Sequence, residues 1–269
     1  MDLSIITIST NEAHHLAGCL ASLHGAIGRL RTEVFVVDNC STDGTAEVAQ
    51  THFPAAQVIR NPVRRGFAAN NNAAMRRSRG RHLLVLNPDT VVHEGALETL
   101  VAYLDGHAAV GICGPRLVFP DGRLQLSCRR FPTWRSVLAR RTPLRRFLWD
   151  SSLNADHLMA NVDHDREQLV DWMLGACLMA RRAAVDEVGL LDEGFFLYVE
   201  DIDWCYRMWC QGWKVAYVPA ARVTHHHQAE TDHRWLTRRT WIHYRSIGRF
   251  VWKHYLRPRL GLSPAQRPT

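Results

Sequence analysis

Short apolar blocks alternate with stretches of helical spacing through the N-terminal part of the chain. Leu3-Ser4-Ile5-Ile6-Thr7-Ile8 predicts a strand, and Ser9-Thr10-Asn11-Glu12 leads from it into Leu16, Leu20 and Leu23 at helical spacing. Glu33–Val37 predicts a second strand, closed by Asp38-Asn39. Ser41-Thr42-Asp43-Gly44 is a turn and cap cluster ahead of a helix that takes in Ala46–Ala49. Val58-Ile59 is a short third strand, and 67–78 reads as helix. Strands alternating with short helices give βαβ units and a parallel-centred sheet, so the expected fold class is α/β.

Leu83-Leu84-Val85-Leu86 is apolar without a break and runs into Asn87-Pro88-Asp89-Thr90. That is the pattern of a strand buried on both faces, and Pro88, with no N–H to donate, ends it. Asp89 is then held just past the carboxyl end of a central strand, where open α/β sheets bind ligands. Right-handed crossovers put Ser9–Asn11, Asp38 and Asn87–Asp89 along one sheet edge. A carboxylate beside an amide oxygen suits a hard divalent cation, and such a cation holds a diphosphate. Asn-Pro-Asp is equally good turn chemistry, and taken alone the stretch does not separate the two.

Further on, 94–104 reads as helix and 110–113 as strand, and Pro120-Asp121-Gly122 sits between the apolar arms of a hairpin over Leu117–Leu124. Val170–Arg182, apolar and broken by Gly175, predicts a buried strand or tight turn under the site. Glu200, Asp201 and Asp203 crowd three carboxylates into four residues, which a helix N-terminus favours. On that helix Asp203 and Arg207 lie four apart and pair, leaving Glu200 or Asp201 to face a substrate. Lys214–Val218 is a strand, and Val223-Thr224-His225-His226-His227 follows it. The tail, Trp235–Leu256, is amphipathic: Trp241, Tyr244, Ile247, Val251, Trp252 and Tyr255 share one side, and Arg238, Arg239, Arg245, Arg249 and Lys253 another. That pattern suits a membrane interface, or a helix docked on the domain with its basic face in water.

Composition narrows the class. The 269 residues, 46% hydrophobic and 22% charged, suffice for one large α/β domain or two small ones. Seven cysteines without CxxC spacing argue against a disulfide framework or a zinc site and for a reducing cytosol. No charge-flanked apolar segment opens the chain, so no signal peptide is expected, and no apolar run approaches the ~20 residues of a bilayer span. A formal net charge of +7 suits an anionic partner. Neither GxGxxG after the first strand nor GxxxxGK[ST] occurs, so phosphates are met another way. Arg60, Arg64 and Arg65 with Gly66 supply charge and a close backbone approach, unless they form an ordinary basic loop. Basic and aromatic residues also interleave between Arg129 and Trp149, as in a nucleic-acid or anionic-lipid contact or a solvated basic loop.

The strings STNE, VVDNCSTDGT, NPVRRGFAANNNAAM, LNPDT and GACLMARR…VGLLDEGFFLYVEDIDWCYR, taken in order, resemble family 2 glycosyltransferases with the GT-A fold, and most closely their rhamnosyltransferase-like branch. LNPDT stands where the family has its DxD metal motif, with Asn87 at the first acidic position. The resemblance implies a GT-A domain over 1–228, with a nucleotide-sugar-binding half (1–115) and an acceptor and catalytic half (116–228), followed by a basic helical tail (229–269). It implies donor contacts from Ser9, Asn11, Glu12, Asp38 (to the base), Arg65, Gly66, Asn71, Asn87 and Asp89. Asp89 and His225 would meet Mg or Mn, Asp201 would be the general base with Glu200 as alternate, and Trp172, Gly175 and Asp203 would lie on the acceptor side. The implied activity is inverting transfer, best matched by L-rhamnose from dTDP-rhamnose, to a glycan or polyprenyl-diphosphate-linked acceptor. The chain would then work in the cytoplasm, peripheral on an anionic inner membrane face, without nucleic acid. A sugar-nucleotide nucleotidyltransferase would carry a glycine-rich, Arg-containing loop where this chain has STNEAHHL, and a non-catalytic basic binding module has no need of carboxylates at 89, 200, 201 and 203.

Overall fold

The computed structural model describes residues 1–132, 152–226 and 237–257. The basic and aromatic residues from Trp134 to Trp149 and the tail end beyond Arg257 lie outside the described residues. In chain order the strands are β1 (Leu3–Ser9), β2 (Thr32–Asp38), β3 (Gln57–Arg60), β4 (His82–Leu86), β5 (Thr90–Val92), β6 (Val110–Val118), β7 (Cys128–Arg129), β8 (Gln168–Leu169), β9 (Trp172–Met173), β10 (Cys177–Arg181) and β11 (Lys214–His225). The helices are α1 (Ala13–Ala26), α2 (Thr45–His52), α3 (Phe67–Met75), α4 (Ala96–Gly106), α5 (Ser152–His157), α6 (Arg182–Val188), α7 (Glu200–Cys210) and α8 (Arg238–Val251), the last running into a π turn over Trp252–Leu256.

One sheet carries the molecule, in the order β3-β2-β1-β4-β10-β6-β11-β5, with β8 on the side of β11. β1, β2, β3 and β4 are mutually parallel neighbours, so their carboxyl ends share one edge. Side chains alternate along each strand, and the core follows that alternation. Leu3 and Ile5 of β1 and Leu84 and Leu86 of β4 join one apolar cluster with α1 and α4. Ile6 and Ile8 of β1 and Leu83 and Val85 of β4 join the other, with α3 and α7. All five residues of β4 are buried. Truncating Leu84, 0% exposed in the middle of this sheet, is expected to cost about 3 kcal/mol and to lower the melting temperature by roughly 10 °C. Val63→Ala, at a position 64% exposed, is the calorimetric control; equal melting temperatures for the two variants would contradict the core assignment.

The sheet is more mixed than the strand-helix alternation predicts. β10 runs antiparallel between β4 and β6, with Cys177 opposite Leu86. It therefore starts where β4 ends, and the turn before it, 174–176, lies at the carboxyl edge of the sheet. Two strands also outrun their expected lengths: β6 continues to Val118, and β11 passes Val218 through an irregularity and pairs again from Arg222. That extension sets His225 opposite Thr90 of β5, beside the end of β4. The hairpin over Leu117–Leu124 is present as a Val118–Leu124 bridge closed by a tight turn at 120–122.

The C-terminal helix docks, but not with a dry apolar face inward and a wet basic face outward. Phe250, 1% exposed, enters a small cluster with Phe195, Val199 and Tyr206, with Ile247 and Tyr255 packed around it. Trp241 and Trp252, expected on the apolar side, are 68% and 48% exposed. Arg249 and Lys253, expected in water, bind Asp192. The buried carboxylates decide the rotation, because a partly buried acid needs a cation more than Trp241 needs a contact. Among the described residues no helix is long and apolar enough to cross a membrane.

Candidate active site

The loops after β1 and β2 are stitched together at the carboxyl edge. Asn39 N donates to the Ser9 carbonyl (2.9 Å). The Asn11 amide oxygen accepts from Thr42 N (2.8 Å), and Ala13 N at the start of α1 donates to Asp43 (2.8 Å). Asp38, 8% exposed, takes Ser41 N onto Oδ1 (2.9 Å), which turns the chain away from β2. Ser9 is fully buried, its hydroxyl 3.4 Å from that of Thr45. Glu12 stands at the N-cap of α1. Ser9 is thus a floor for this edge, while Asn11 is exposed on its rim.

The basic loop is tied to the same edge. Asn39 accepts from Arg65 N (2.8 Å) and donates to the Arg65 carbonyl (3.0 Å), leaving the Arg65 side chain exposed. At Gly66 a Cβ would stand 2.9 Å from the Phe196 carbonyl oxygen, so only glycine lets the two backbones meet, as they do through Phe67 N to the same oxygen (2.8 Å). α3 follows with Asn70, Asn71 and Asn72 all buried. Asn72 clasps the Leu191 backbone through both amide atoms (2.8 and 3.1 Å). Asn71 donates to the Phe67 carbonyl (3.1 Å), and its amide oxygen is buried without a hydrogen-bond partner.

At the end of β4, Asp89 faces His225. Nε2 of the histidine is 3.4 Å from Asp89 Oδ2, and its Nδ1 is 2.9 Å from the amide oxygen of Gln125. Burial acts to raise the Asp89 carboxyl, but the hydrogen bond and charge of His225, helped by the charge of His15, hold it below the ordinary value. Asp89 Oδ1 is buried with no partner. An orphaned carboxylate oxygen is costly, and beside an imidazole held from behind by Gln125 it is a fitting ligand for a divalent cation. No group of three or more His, Cys, Asp or Glu is arranged to enclose a metal among the described residues. A cation held here would therefore keep open positions for ligand oxygens and water. His15 and His226 also gather at this rim, ring centroids 5.7 Å apart.

The acidic cluster opens α7, and the turn before β10 joins it to the end of β4. Asn87 N donates to the Ala176 carbonyl (2.8 Å), and the neighbouring Gly175 N donates to Asp201 Oδ2 (3.1 Å). A Cβ at Gly175 would stand in van der Waals contact with Asp201 at 3.4 Å, so the turn lies directly against that carboxylate. Tyr198 and Val199, just before the helix, both take left-handed backbone, with φ of 67° and 75°. For a β-branched valine this is strained, and such strain gathers at sites whose geometry is imposed from outside. Glu200 is 6% exposed, with Oε2 unpartnered. Burial, and then the neighbouring Asp201, push its carboxyl well up. Burial also raises Asp201, but the N–H groups of Ile202 and Gly175 favour its charge. Both carboxyls are thus raised by burial, Glu200 further by the charge of Asp201, while the outside N–H of Gly175 supports the charged form of Asp201.

Two residues grouped with the acceptor side are committed elsewhere. Asp203, 0% exposed, accepts from Arg207 Nε (2.8 Å) as the spacing requires, and also from Lys253 and His254 (2.7 Å each). Trp172 is 7% exposed and its indole donates to the Arg130 carbonyl (3.0 Å), so it packs in the core under the site. Sequence reasoning missed Gln125, Lys253 and His254 as partners, because each arrives from an element whose path no local pattern fixes. Asn39 and Asp43 were legible: both stand inside VVDNCSTDGT, whose turn chemistry needs side chains that bind backbone.

Comparison with known proteins gives the family and the fold. The chain matches the model of "Glycosyl transferase family 2" over residues 4–166. It is 31% identical over 240 residues to the N-acetylglucosaminyl-diphospho-decaprenol L-rhamnosyltransferase of Mycobacterium tuberculosis, covering 83% of this chain and 76% of that protein. Rhamnosyltransferase WbbL of Escherichia coli is 25% identical over 234 residues, 82% of each chain. Among solved structures, GalNAc-T7 with UDP, GalNAc and Mn2+ superposes with a TM-score of 0.68 at 19% identity, over 95% of this chain. The match spans half the length of that larger protein.

Proposed function

The chain belongs to glycosyl transferase family 2 and is a glycosyltransferase of GT-A fold, and from that premise we propose that it moves a sugar, L-rhamnose from dTDP-rhamnose, onto a hydroxyl of a lipid-linked glycan acceptor with inversion. The observation that carries this reading is the pair of acidic stations joined across one backbone turn. Asp89 has an orphaned oxygen beside His225, and Asp201 is hydrogen-bonded to Gly175, next to the Ala176 that holds Asn87. Single displacement needs both. Asp201 takes the proton from the acceptor hydroxyl as its oxygen bonds to the anomeric carbon. The nucleoside diphosphate leaves from the opposite face, toward the rim built by Asn11, Asp38 and Arg65. A divalent cation on Asp89 and His225 would offset the charge that develops on that diphosphate. Glu200, buried and beside the charge of Asp201, is pushed toward its neutral form, which favours Asp201 as the base of the pair.

The sugar and the acceptor follow the relative from Mycobacterium tuberculosis, whose name specifies rhamnosyl transfer to a diphospho-decaprenol-linked sugar, and dTDP as its carrier follows the rhamnosyltransferase-like branch the sequence resembles. A lipid-linked acceptor calls for work at a membrane surface, and the outward Trp241 and Trp252 of α8 and its π turn, beside exposed Arg245, suit an anionic interface.

A thermal-shift panel of nucleoside diphosphates and their sugars, with and without Mn2+, tests the donor site, since a ligand bound only by the folded chain raises its melting temperature. A shift of several degrees with dTDP species that grows in Mn2+ is the expected result. A larger shift with UDP or GDP species would replace the donor, and no shift with any of them would remove the donor site.

A further inference from the structure

Lys253 sits where three separately built parts of the site converge. It is on the π turn after α8, yet its ammonium bridges Asp192 and Asp203 at 2.7 Å each. Asp203 lies one turn into α7, the helix that opens with Glu200 and Asp201. Asp192 follows Leu191, whose backbone is clasped by Asn72 of α3, and precedes Glu193, which takes both Asn72 (3.0 Å) and Arg76 (2.8 Å). α3 in turn is capped by Gly66, behind the basic loop. The path from the donor-side loop to the acidic helix thus runs α3, Leu191–Glu193, Lys253, Asp203, α7.

Asp203 already has Arg207 from its own helix, so local helix formation needs no further cation there. His254 nonetheless adds a contact to the oxygen that Lys253 uses (2.7 Å), and Arg249 adds one to Asp192 (3.0 Å). A fully buried carboxylate held on both oxygens cannot rotate, and a lysine shared between two acids from different segments fixes the distance between them. The start of α7 is strained at Tyr198 and Val199, so the helix needs holding from outside.

We propose that Lys253, seconded by His254, is a positioning residue for sugar transfer: by bridging Asp192 and Asp203 it fixes the acidic start of α7 against the donor-side helix α3. The inference rests on the reading of Asp201 as the base. The Gly175 amide reports the geometry directly, because its N–H is bonded to Asp201 Oδ2.

The test uses the full chain. Lys253→Met keeps the length of the side chain and removes its charge, and Lys253→Arg restores the charge. Hydrogen exchange at the Gly175 amide is expected to speed up about tenfold in Lys253→Met and to recover in Lys253→Arg, while the amides of β4 stay as protected as in the parent. In turnover of dTDP-rhamnose with water as acceptor, kcat is expected to fall about tenfold or more, as misplacement of a reacting group does, with the KM for the donor within about twofold. Asp192→Asn, at a loop position, removes the other end of the bridge; it should act in the same direction, and it serves if Lys253→Met does not fold. Unchanged Gly175 exchange in a folded Lys253→Met or Asp192→Asn chain would overturn the inference, as would a donor KM rising in step with the fall in kcat. Asp201→Asn is run beside them. If it retains turnover, the base reading fails; if it loses turnover while Lys253→Met and Asp192→Asn keep theirs, only the bridge fails.

Discussion

Asp201→Asn is expected to lower sugar transfer by about 10²–10⁴-fold, the range a positioned general base contributes, while the melting-temperature shift produced by a nucleoside diphosphate with Mn2+ stays as in the parent. The asparagine keeps the shape and can still accept from Gly175 N, so the turn that carries Asn87 need not move. What is lost is the capacity to take a proton. Glu200 cannot stand in for it, being buried with an unpartnered oxygen and held toward its neutral form. The pH profile of the parent carries the same signature. Burial raises Asp201 above the ordinary carboxylate value, and a base works only when ionised. Activity should therefore climb with pH through a limb displaced above the usual carboxylate range, instead of being complete by the pH at which exposed aspartates have ionised. Parallel loss of transfer and of nucleotide binding in Asp201→Asn would place the residue in the donor site.

Asp89→Ala is expected to weaken binding of a nucleoside diphosphate at least about tenfold when Mn2+ is present, and to leave the weaker binding in a chelator unchanged. The orphaned Oδ1 is the reason: a cation bound there would satisfy it, so affinity and metal would be lost together. His225→Ala should act in the same direction with a smaller effect, because His225 also holds Asp89 below its ordinary value through a hydrogen bond. Calorimetric titration of dTDP into the parent and both variants, with Mn2+ and then with chelator, separates the outcomes. Equal metal dependence in the parent and Asp89→Ala would remove Asp89 from the metal site.

The two variants probe opposite ends of one short backbone bridge, and their effects are expected to be independent in sign: Asp89→Ala changes affinity, Asp201→Asn changes turnover. A chain that merely bound nucleotide would respond to the first and have no turnover for the second to lower.

Much of this was fixed by local pattern. The unbroken apolar run of Leu83–Leu86, stopped by Pro88, is enough to make a buried strand and to hang Asp89 at its end, because both follow from rules that act within a few residues. The apolar runs of β1 and β2, the turn chemistry of Ser41–Gly44 and the Asp203–Arg207 spacing are of the same kind, and the structure carries all of them. Tertiary structure alone decided three things. The antiparallel entry of β10 brings Gly175 to Asp201; strand direction depends on which neighbour has an open edge, and a sequence window does not contain that neighbour. The length of β11 carries His225 to Asp89, since a strand continues past an irregularity only where a partner is waiting. The rotation of α8 turns Lys253 inward and Trp241 outward. An amphipathic pattern names two faces, but the carboxylates of half-buried Asp192 and fully buried Asp203, presented by a loop and the helix after it, select which side chains turn toward them.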